Sequence, residues 1–210
     1  PELDNLYSLN SHRMHIINKD FLQSTIDQFF WKDLSHMDIC GFVHCASIFR
    51  YDTVESCSKE NIREHQIINC DVFVDACTSY VQYNKTCTSS PLSFVAFLDA
   101  KLDNLNPDHF SYTLSKLNLK ASIPFLAMTG APKIRVNAVS PGLVLRSGEQ
   151  TEEEFKMAQK SLPYGYGASL EDIGQATAFL ISNKSINGQI INIDAGQHLP
   201  KSRDIIFCSF

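Results

Sequence analysis

The chain has 210 residues, of which 44% are hydrophobic and 20% are charged, and its formal net charge at pH 7 is -5. These values are typical of one globular domain, so we treat residues 1–210 as a single domain. The negative charge argues against a nucleic-acid partner. No uninterrupted apolar segment reaches membrane length, and the first residues do not resemble a signal peptide. We therefore predict a cytoplasmic protein without a membrane partner.

The cysteines indicate a reducing compartment. Seven are present, an odd number, and none forms a C-x-x-C pair. Several, including Cys40 and Cys45, lie in apolar segments, which is typical of reduced thiols that pack as small hydrophobic side chains. This pattern offers no candidate metal site.

Short apolar segments that favour strands alternate with longer segments of helical periodicity. The predicted strands are residues 14–18, 39–44, 93–98, 134–139 and 189–193. The predicted helices are residues 23–30, 62–81, 109–128, 152–161 and 171–181. The fourth helix begins with a capping box at Thr151 and Glu154 and is inserted between the last two strands. This order predicts an α/β fold with a doubly wound, Rossmann-like parallel sheet.

Tyr112 and Lys116 are the most informative pair in the sequence. Four residues separate them in a predicted helix, so their side chains can lie on one face. An ammonium group beside a phenol favours the phenolate, which makes the pair a candidate proton donor. A surface pair without a chemical role has the same spacing and is more frequent, so the neighbouring motifs have to decide.

Those motifs, taken in order, resemble the short-chain dehydrogenase/reductase family from about residue 12 to residue 199. Tyr112 and Lys116, with Ser115 at the usual small position, are similar to the catalytic Tyr-x-x-x-Lys motif of this family. The segment IRVNAVSPG resembles the strand whose Pro-Gly cradles the nicotinamide, and GQIINIDAG resembles the closing strand. The resemblance implies that the residues after the IRVNAVS strand bind the cofactor, namely Pro141, Gly142 and Leu143.

The resemblance also implies two further catalytic residues. Asn69 is similar to the helix asparagine that bends the chain and holds a proton-relay water, although a buried polar residue with any partner would also fit. Asp99 stands thirteen residues before Tyr112, where most members have serine. An aspartate at this place resembles the pteridine reductase branch, in which it works beside the tyrosine. The alternative interpretation is a strand-end aspartate that caps a turn.

The segment VHCASIF resembles the Asn-Asn-Ala-Gly motif of the family, with His44 and Cys45 in place of both asparagines. We assign no chemical role to these two residues, which can be packing substitutions. By similarity to pteridine reductases, Ala46 and Ser47 are expected to contact the cofactor, and Phe49 is expected to stack on the substrate.

One family feature has no counterpart in the sequence: the glycine-rich turn that binds the cofactor pyrophosphate at a helix N-terminus. Asp20 resembles the aspartate that contacts adenine after the third strand of the family. We therefore expect the first two strands and their helices to be missing before Pro1, because the sequence is incomplete; a decayed gene product is the alternative. The residue that selects NADP over NAD usually follows the second strand.

The resemblance implies an NADPH-dependent reductase, with NAD not excluded. Tyr112 would supply a proton directly or through Asp99, and Lys116 would bind the nicotinamide ribose and lower the phenol pKa. The expected small-molecule substrate is a dihydropterin in contact with Phe49, Asp99 and Tyr112. The alternatives are a carbonyl reductase for 3-oxoacyl or sugar substrates, in which Asp99 is incidental, and a non-catalytic protein that keeps the fold.

The same resemblance implies a homo-oligomer, either a dimer or a tetramer. The predicted helices at residues 62–81 and 109–128 are the expected dimer faces. The apolar segment near the C-terminus, residues 202–210, is expected to pack against a neighbouring subunit, because its apolar side chains are costly to expose to water.

Overall fold

The structure, a computed structural model, describes residues 20–84, 90–148 and 150–199. Its centre is a four-stranded parallel sheet in which the strands neighbour one another in chain order. The strands are β1 (Gly41–His44), β2 (Leu92–Phe97), β3 (Ile134–Pro141) and β4 (Ile190–Ile193). The predicted strand at residues 14–18 lies outside the described residues.

Helices flank the sheet between the strands. They are α1 (Gln28–Asp33), α2 (Lys59–Gln66), α3 (Val72–Tyr83), α4 (Phe110–Gly130), α5 (Glu152–Lys160) and α6 (Leu170–Ser182). A π-helical turn, Ile67–Asp71, joins α2 to α3, and a 3-10 turn, Ala100–Asp103, follows β2. The predicted α/β, Rossmann-like fold is confirmed, and α5 lies between the last two strands as expected.

The central strands β2 and β3 are buried on both faces of the sheet, which explains why most of their residues are apolar. In β2, Phe94 and Ala96 pack into a core with residues of α1, α3 and α4, whereas Val95 packs on the opposite side with residues of α6. Trp31 in α1 fills the larger core, and its indole N–H donates to the hydroxyl of Ser79 at 2.9 Å. Two covered faces make this a doubly wound sheet.

Two predicted helices differ from the observed ones. The helix expected at residues 23–30 begins at Gln28 instead, because the Asp27 carboxylate accepts hydrogen bonds from the N–H groups of Phe29 and Phe30 and caps the helix there. The long helix expected at residues 62–81 is interrupted by the π-helical turn. This turn adds a local widening that helical periodicity alone does not predict.

The parallel strands bring their carboxyl ends to one edge of the sheet, where ligands bind in folds of this type. The register pairs Phe97 at the end of β2 with Val139, and Pro141 at the end of β3 with Ile193. Within the three described stretches, no helix combines the length and the apolar character needed to cross a bilayer.

Candidate active site

The hydroxyl of Tyr112 donates a hydrogen bond to Oδ2 of Asp99 at 2.8 Å. Tyr112 lies in the first turn of α4 and is buried, and Asp99 lies just beyond β2. The other carboxylate oxygen, Oδ1, accepts from the backbone N–H of Lys101 at 2.8 Å and caps the 3-10 turn. Asp99 therefore caps a turn with one oxygen and contacts the tyrosine with the other, and its catalytic role stays a prediction.

The phenol keeps its proton in this environment. Burial raises the pKa of Tyr112, and the charge of Asp99 and the hydrogen bond to it raise the pKa further. The amino group of Lys116 lies 5.8 Å from the centre of the tyrosine ring and donates to the carbonyl of Phe97 at 2.8 Å. The net shift of the Tyr112 pKa is upward, through burial first and Asp99 second, and a lowering effect of Lys116 on the phenol stays a prediction.

Lys116 is almost completely buried, with 3% of its surface exposed. Burial lowers its pKa to about 8, against the opposing effect of the Asp99 charge. Within the described residues, the Phe97 carbonyl is the one hydrogen-bond acceptor found for this amino group. Since an ammonium group has three N–H donors, Lys116 retains donors for ligand hydroxyls.

Asn69 lies in the π-helical turn and is fully buried. Its Nδ2 donates to the carbonyl of Ile48 and to the hydroxyl of Ser115, both at 3.0 Å. Its Oδ1 accepts from the N–H of Ile48 at 2.8 Å and from the hydroxyl of Ser47 at 3.2 Å. The turn is the local bend that the resemblance implied. All four side-chain hydrogen bonds are made within the protein, and the relay water at Asn69 stays a prediction.

Ser115 connects this network to the tyrosine. Its hydroxyl receives the hydrogen bond from Asn69 and donates to the backbone carbonyl of Tyr112 at 2.7 Å. The small side chain at this position of the motif is therefore fully buried and bonded on both sides. Sequence reasoning noted Ser115 only for its size.

A cleft of about 420 Å³ opens beside the Asp99–Tyr112 pair. Its walls include most of the predicted cofactor and substrate positions: Ser47, Phe49, Asp99, Tyr112, Pro141, Gly142 and Leu143. A second cleft of about 600 Å³ adjoins it and shares Phe49, Asp99, Gly142 and Leu143. Residues predicted from four separate segments therefore converge at one site.

Three of the predicted cofactor residues, Lys116, Ala46 and Asp20, are not among the side chains that line either cleft. Ala46 is half-buried and directly precedes Ser47. Asp20 is exposed at the beginning of the described chain, where its Oδ1 accepts from the N–H of Leu22 at 2.9 Å in a turn. The structure shows no contact between Asp20 and the other site residues.

The loop after β3 is held from the end of β4. The N–H of Gly142 donates to the carbonyl of Ile193 at 3.1 Å, and the N–H of Leu143 donates to Oε1 of Gln197 at 3.0 Å. A Cβ atom on Gly142 would lie 2.7 Å from Cβ of Asp194, so only glycine fits here without a shift. Gln197 was not predicted from the sequence. The one sequence feature that points to it is its position shortly after the closing strand.

His44 packs as a neutral side chain at the end of β1. It is 3% exposed, and its ring centre lies 5.9 Å from that of Phe73. Burial, with a contribution from the charge of Lys116, lowers the pKa of His44 to about 4. Its Nε2 atom has no hydrogen-bond partner within the described residues. In the part of the chain that the structure describes, no three His, Cys, Asp or Glu residues are arranged to hold a metal ion.

Comparison with known proteins places this arrangement in a family. A sequence model of a family described as enoyl-(acyl carrier protein) reductase matches residues 14–198. The Bacillus subtilis short-chain dehydrogenase/reductase homolog YusR is 38% identical over 89 residues, which cover 42% of this chain and 69% of that protein. The chain belongs to the short-chain dehydrogenase/reductase family. The resemblance carried by Tyr112, Lys116 and the β3 segment is thereby confirmed.

Two further short-chain reductases bear on the substrate. The crystal structure of FolM, alternative dihydrofolate reductase 1 from Brucella canis complexed with NADP, superposes with a TM-score of 0.72 and 32% identity, over 78% of this chain and 65% of that one. The NADH-dependent enoyl-(acyl-carrier-protein) reductase FabI of Enterococcus faecalis is 23% identical over 168 residues, or 77% of this chain and 67% of that protein. The chain thus spans about two thirds of the length of both relatives.

Proposed function

We propose that this short-chain reductase catalyses the NADPH-dependent reduction of a C=N or C=O bond in a dihydropterin. The observation that carries the proposal is the 2.8 Å hydrogen bond between Tyr112 and Asp99 at the wall of the cleft. A carboxylate can exchange a proton with a pterin ring nitrogen, a task for which the serine usual in the family is less suited. The similarity to a Brucella canis dihydrofolate reductase crystallised with NADP supports both the substrate class and the cofactor.

The cleft residues fit the nicotinamide end of such a cofactor, which supplies the hydride when it is bound. Lys116 has unused N–H donors for the ribose hydroxyls. Pro141, Gly142 and Leu143 form one wall of the cleft, and the absence of a Cβ atom at Gly142 lets this wall pack closely against Asp194 and Gln197. Ser47 and Ala46 on the loop after β1, together with Asp20, remain proposed cofactor contacts.

Two side chains of this protein, Tyr112 and Asp99, supply the proton that accompanies the hydride. Tyr112 is protonated at neutral pH, because its raised pKa lies above the physiological range. We assign the following proton path. The proton moves from the phenol oxygen to Oδ2 of Asp99, and a proton moves from Asp99 to a ring nitrogen of the substrate. The carbon next to that nitrogen accepts the hydride. One hydride and one proton then reduce one C=N bond, and Tyr112 regains its proton from solvent.

The test uses full-length protein with NADPH and either dihydrobiopterin or dihydrofolate. Tyr112→Phe keeps the ring and removes only the hydroxyl, so we expect kcat to fall by a factor of about 100 or more. Asp99→Ser restores the residue usual in the family and should reduce pterin turnover while leaving NADPH binding intact. Unchanged turnover in Tyr112→Phe would eliminate Tyr112 as the proton donor.

The second candidate is reduction of an acyl thioester. The description of the matching family model and the similarity to FabI favour it. A carbonyl reductase for 3-oxoacyl or sugar substrates is a related alternative, in which Asp99 serves only as a cap. Turnover of crotonyl or acetoacetyl thioesters or of sugar ketones, combined with no turnover of pterins, would select one of these activities.

A non-catalytic protein that keeps the fold is distinguished by cofactor binding. A ligand that binds only the native state raises the melting temperature, by an amount that follows from its concentration and dissociation constant. We expect NADPH to raise the melting temperature of the full-length protein. No shift at millimolar NADPH would favour the non-catalytic alternative.

We further propose that the protein forms a homodimer or homotetramer and works in a reducing cytoplasm. The long helix α4 and the α2–α3 segment are the proposed dimer faces. Exposed apolar side chains on α4, Phe125 and Met128, support an interface there. The free cysteines among the described residues, Cys40, Cys45, Cys57, Cys70 and Cys77, are consistent with a reducing compartment.

A further inference from the structure

Phe49 is a large apolar side chain that is 47% exposed at the proposed active site. Its ring stacks on the ring of His109, with centres 3.9 Å apart and planes inclined by 16°. The ring of Tyr112 meets it nearly at a right angle, at 86° and 4.6 Å. Contacts in two directions thus determine the orientation of an aromatic ring that would otherwise turn freely in solvent.

His109 is itself firmly placed. Its Nδ1 atom lies 3.2 Å from the carbonyl oxygen of Arg50, and because a carbonyl can only accept, Nδ1 carries the hydrogen. The ring of Tyr51 meets it edge-on at 5.3 Å. The backbone of His109 has a φ of +56°, a left-handed conformation that costs energy in a residue other than glycine. A bulky ring stands where glycine would fit with less strain.

Phe49 lines both neighbouring clefts, but its two aromatic partners do not. The cleft that contains Tyr112 is lined by Phe49 but not by His109. The adjoining cleft is lined by Phe49 and His109 but not by Tyr112. His109 covers one face of the Phe49 ring, and the side chain, 47% exposed, also lines the cleft that contains Tyr112.

We infer that His109 is a positioning residue that holds Phe49 as a flat surface for a planar heterocyclic substrate. The inference rests on the proposed function, which places a pterin ring in the Tyr112 cleft. An aromatic ring held in advance in the stacking orientation binds a flat ligand without the entropy cost of ordering that side chain. His109 then favours planar bicyclic substrates over acyl thioesters, whose chains gain little from a flat face.

Two substitutions distinguish the effect of the His109 ring from that of its left-handed backbone conformation. His109→Gly removes the ring at a position where the left-handed backbone suits glycine, so α4 should still begin normally. His109→Phe keeps a ring to back Phe49 and loses only the hydrogen bond to Arg50. We expect His109→Gly to weaken the binding of biopterin about tenfold in the presence of NADP⁺, and His109→Phe to stay within about threefold of wild type.

Isothermal titration calorimetry with biopterin and NADP⁺ measures these effects without turnover. The dissociation constant of NADP⁺ alone should be the same in wild type and His109→Gly, and KM for the dihydropterin should rise without a change in kcat. Phe49→Ala should remove most of the effect of His109→Gly, because His109 acts through Phe49.

The outcomes are distinguishable. If wild type and His109→Gly bind biopterin equally, the positioning role is refuted while the proposed function stands. If His109→Gly loses affinity for NADP⁺ and biopterin in equal measure, His109 merely supports the fold, and the inference is also refuted. If wild-type protein binds NADP⁺ but no biopterin, the proposed substrate class fails, and the role of His109 fails with it.

Discussion

The side-chain amide of Asn69 forms two hydrogen bonds with the backbone of Ile48, as a residue of a neighbouring strand would. Nδ2 donates to the carbonyl at 3.0 Å, and Oδ1 accepts from the N–H at 2.8 Å. Among the described residues, no strand pairs with the loop that carries Ser47 and Phe49 at this point, and the Asn69 side chain holds it instead. Asn69 therefore fixes this wall of the cleft.

Asn69→Ala should lower the free energy of unfolding by about 2–3 kcal/mol, because it removes both hydrogen bonds to the partly buried backbone of Ile48 and the one to the buried hydroxyl of Ser115. Ser47→Ala removes only one of the four hydrogen bonds, at an exposed residue, and should cost less than about 1 kcal/mol. Urea denaturation of both variants measures the difference. Equal losses would show that the bonds to Ile48 contribute nothing of their own.

The buried Lys116 should make stability depend on alkaline pH. Its pKa of about 8 in the folded protein lies below the ordinary value of 10.5. Between pH 8 and 10.5 the unfolded chain binds a proton at Lys116 that the folded protein lacks, so Lys116 contributes a rise of up to about 3 kcal/mol in the free energy of unfolding. Lys116→Met should lack this rise. Urea denaturation at several pH values from 7.5 to 10 tests it, and parallel curves for both proteins would contradict it.

The buried His44 should make stability depend on acidic pH. Its pKa is lowered from 6.5 to about 4, so the unfolded chain binds a proton between these pH values and the folded protein does not. The free energy of unfolding should therefore fall by up to about 3 kcal/mol as the pH drops from 6.5 to 4. His44→Phe and His44→Asn should both show a shallower decline, whatever their stability at pH 7. A decline as steep as that of wild type in either variant would speak against the neutral, buried histidine.

Two glycines make a matched pair of alanine substitutions. Gly142→Ala would bring a Cβ atom within 2.8 Å of the backbone of Asp194, and we expect a loss of about 1–3 kcal/mol in stability together with weaker NADPH binding. Gly174 lies in α6 with no atom within 4 Å of the added Cβ, so Gly174→Ala should stabilise the helix by about 0.5–1 kcal/mol. Melting temperatures and NADPH titrations check both; weaker NADPH binding in Gly174→Ala would show that the assay reports general stability.

Much of the fold follows from local patterns. The apolar strands and the capping boxes at Thr151 and Ser169 depend on neighbouring residues in the chain, and the helices that they begin appear as expected or nearly so. The π-helical turn around Asn69 depends on partners 21 and 46 residues away, Ile48 and Ser115. Helical periodicity holds no information about such partners, which is why a single helix was predicted there.

The candidate site was predictable where motifs have a fixed spacing, as for Tyr112 and Lys116. The direction of the phenol pKa shift was not, because it depends first on how deeply the hydroxyl is buried and then on its hydrogen bond to Asp99. His109 and Gln197 were missed because their importance comes from contacts across loops, to Phe49 and Leu143, that no spacing in the sequence indicates.

Because the two oxygens of Asp99 bind different partners, a substitution at this residue can preserve the capped turn after β2 and change only the hydrogen bond to Tyr112. An asparagine would keep an acceptor for the N–H of Lys101, and its amide nitrogen would then face the phenol as a donor. The direction of the bond to Tyr112 would be reversed while the turn after β2 stayed capped. The proposed proton path therefore depends on a single atom, the second oxygen of Asp99.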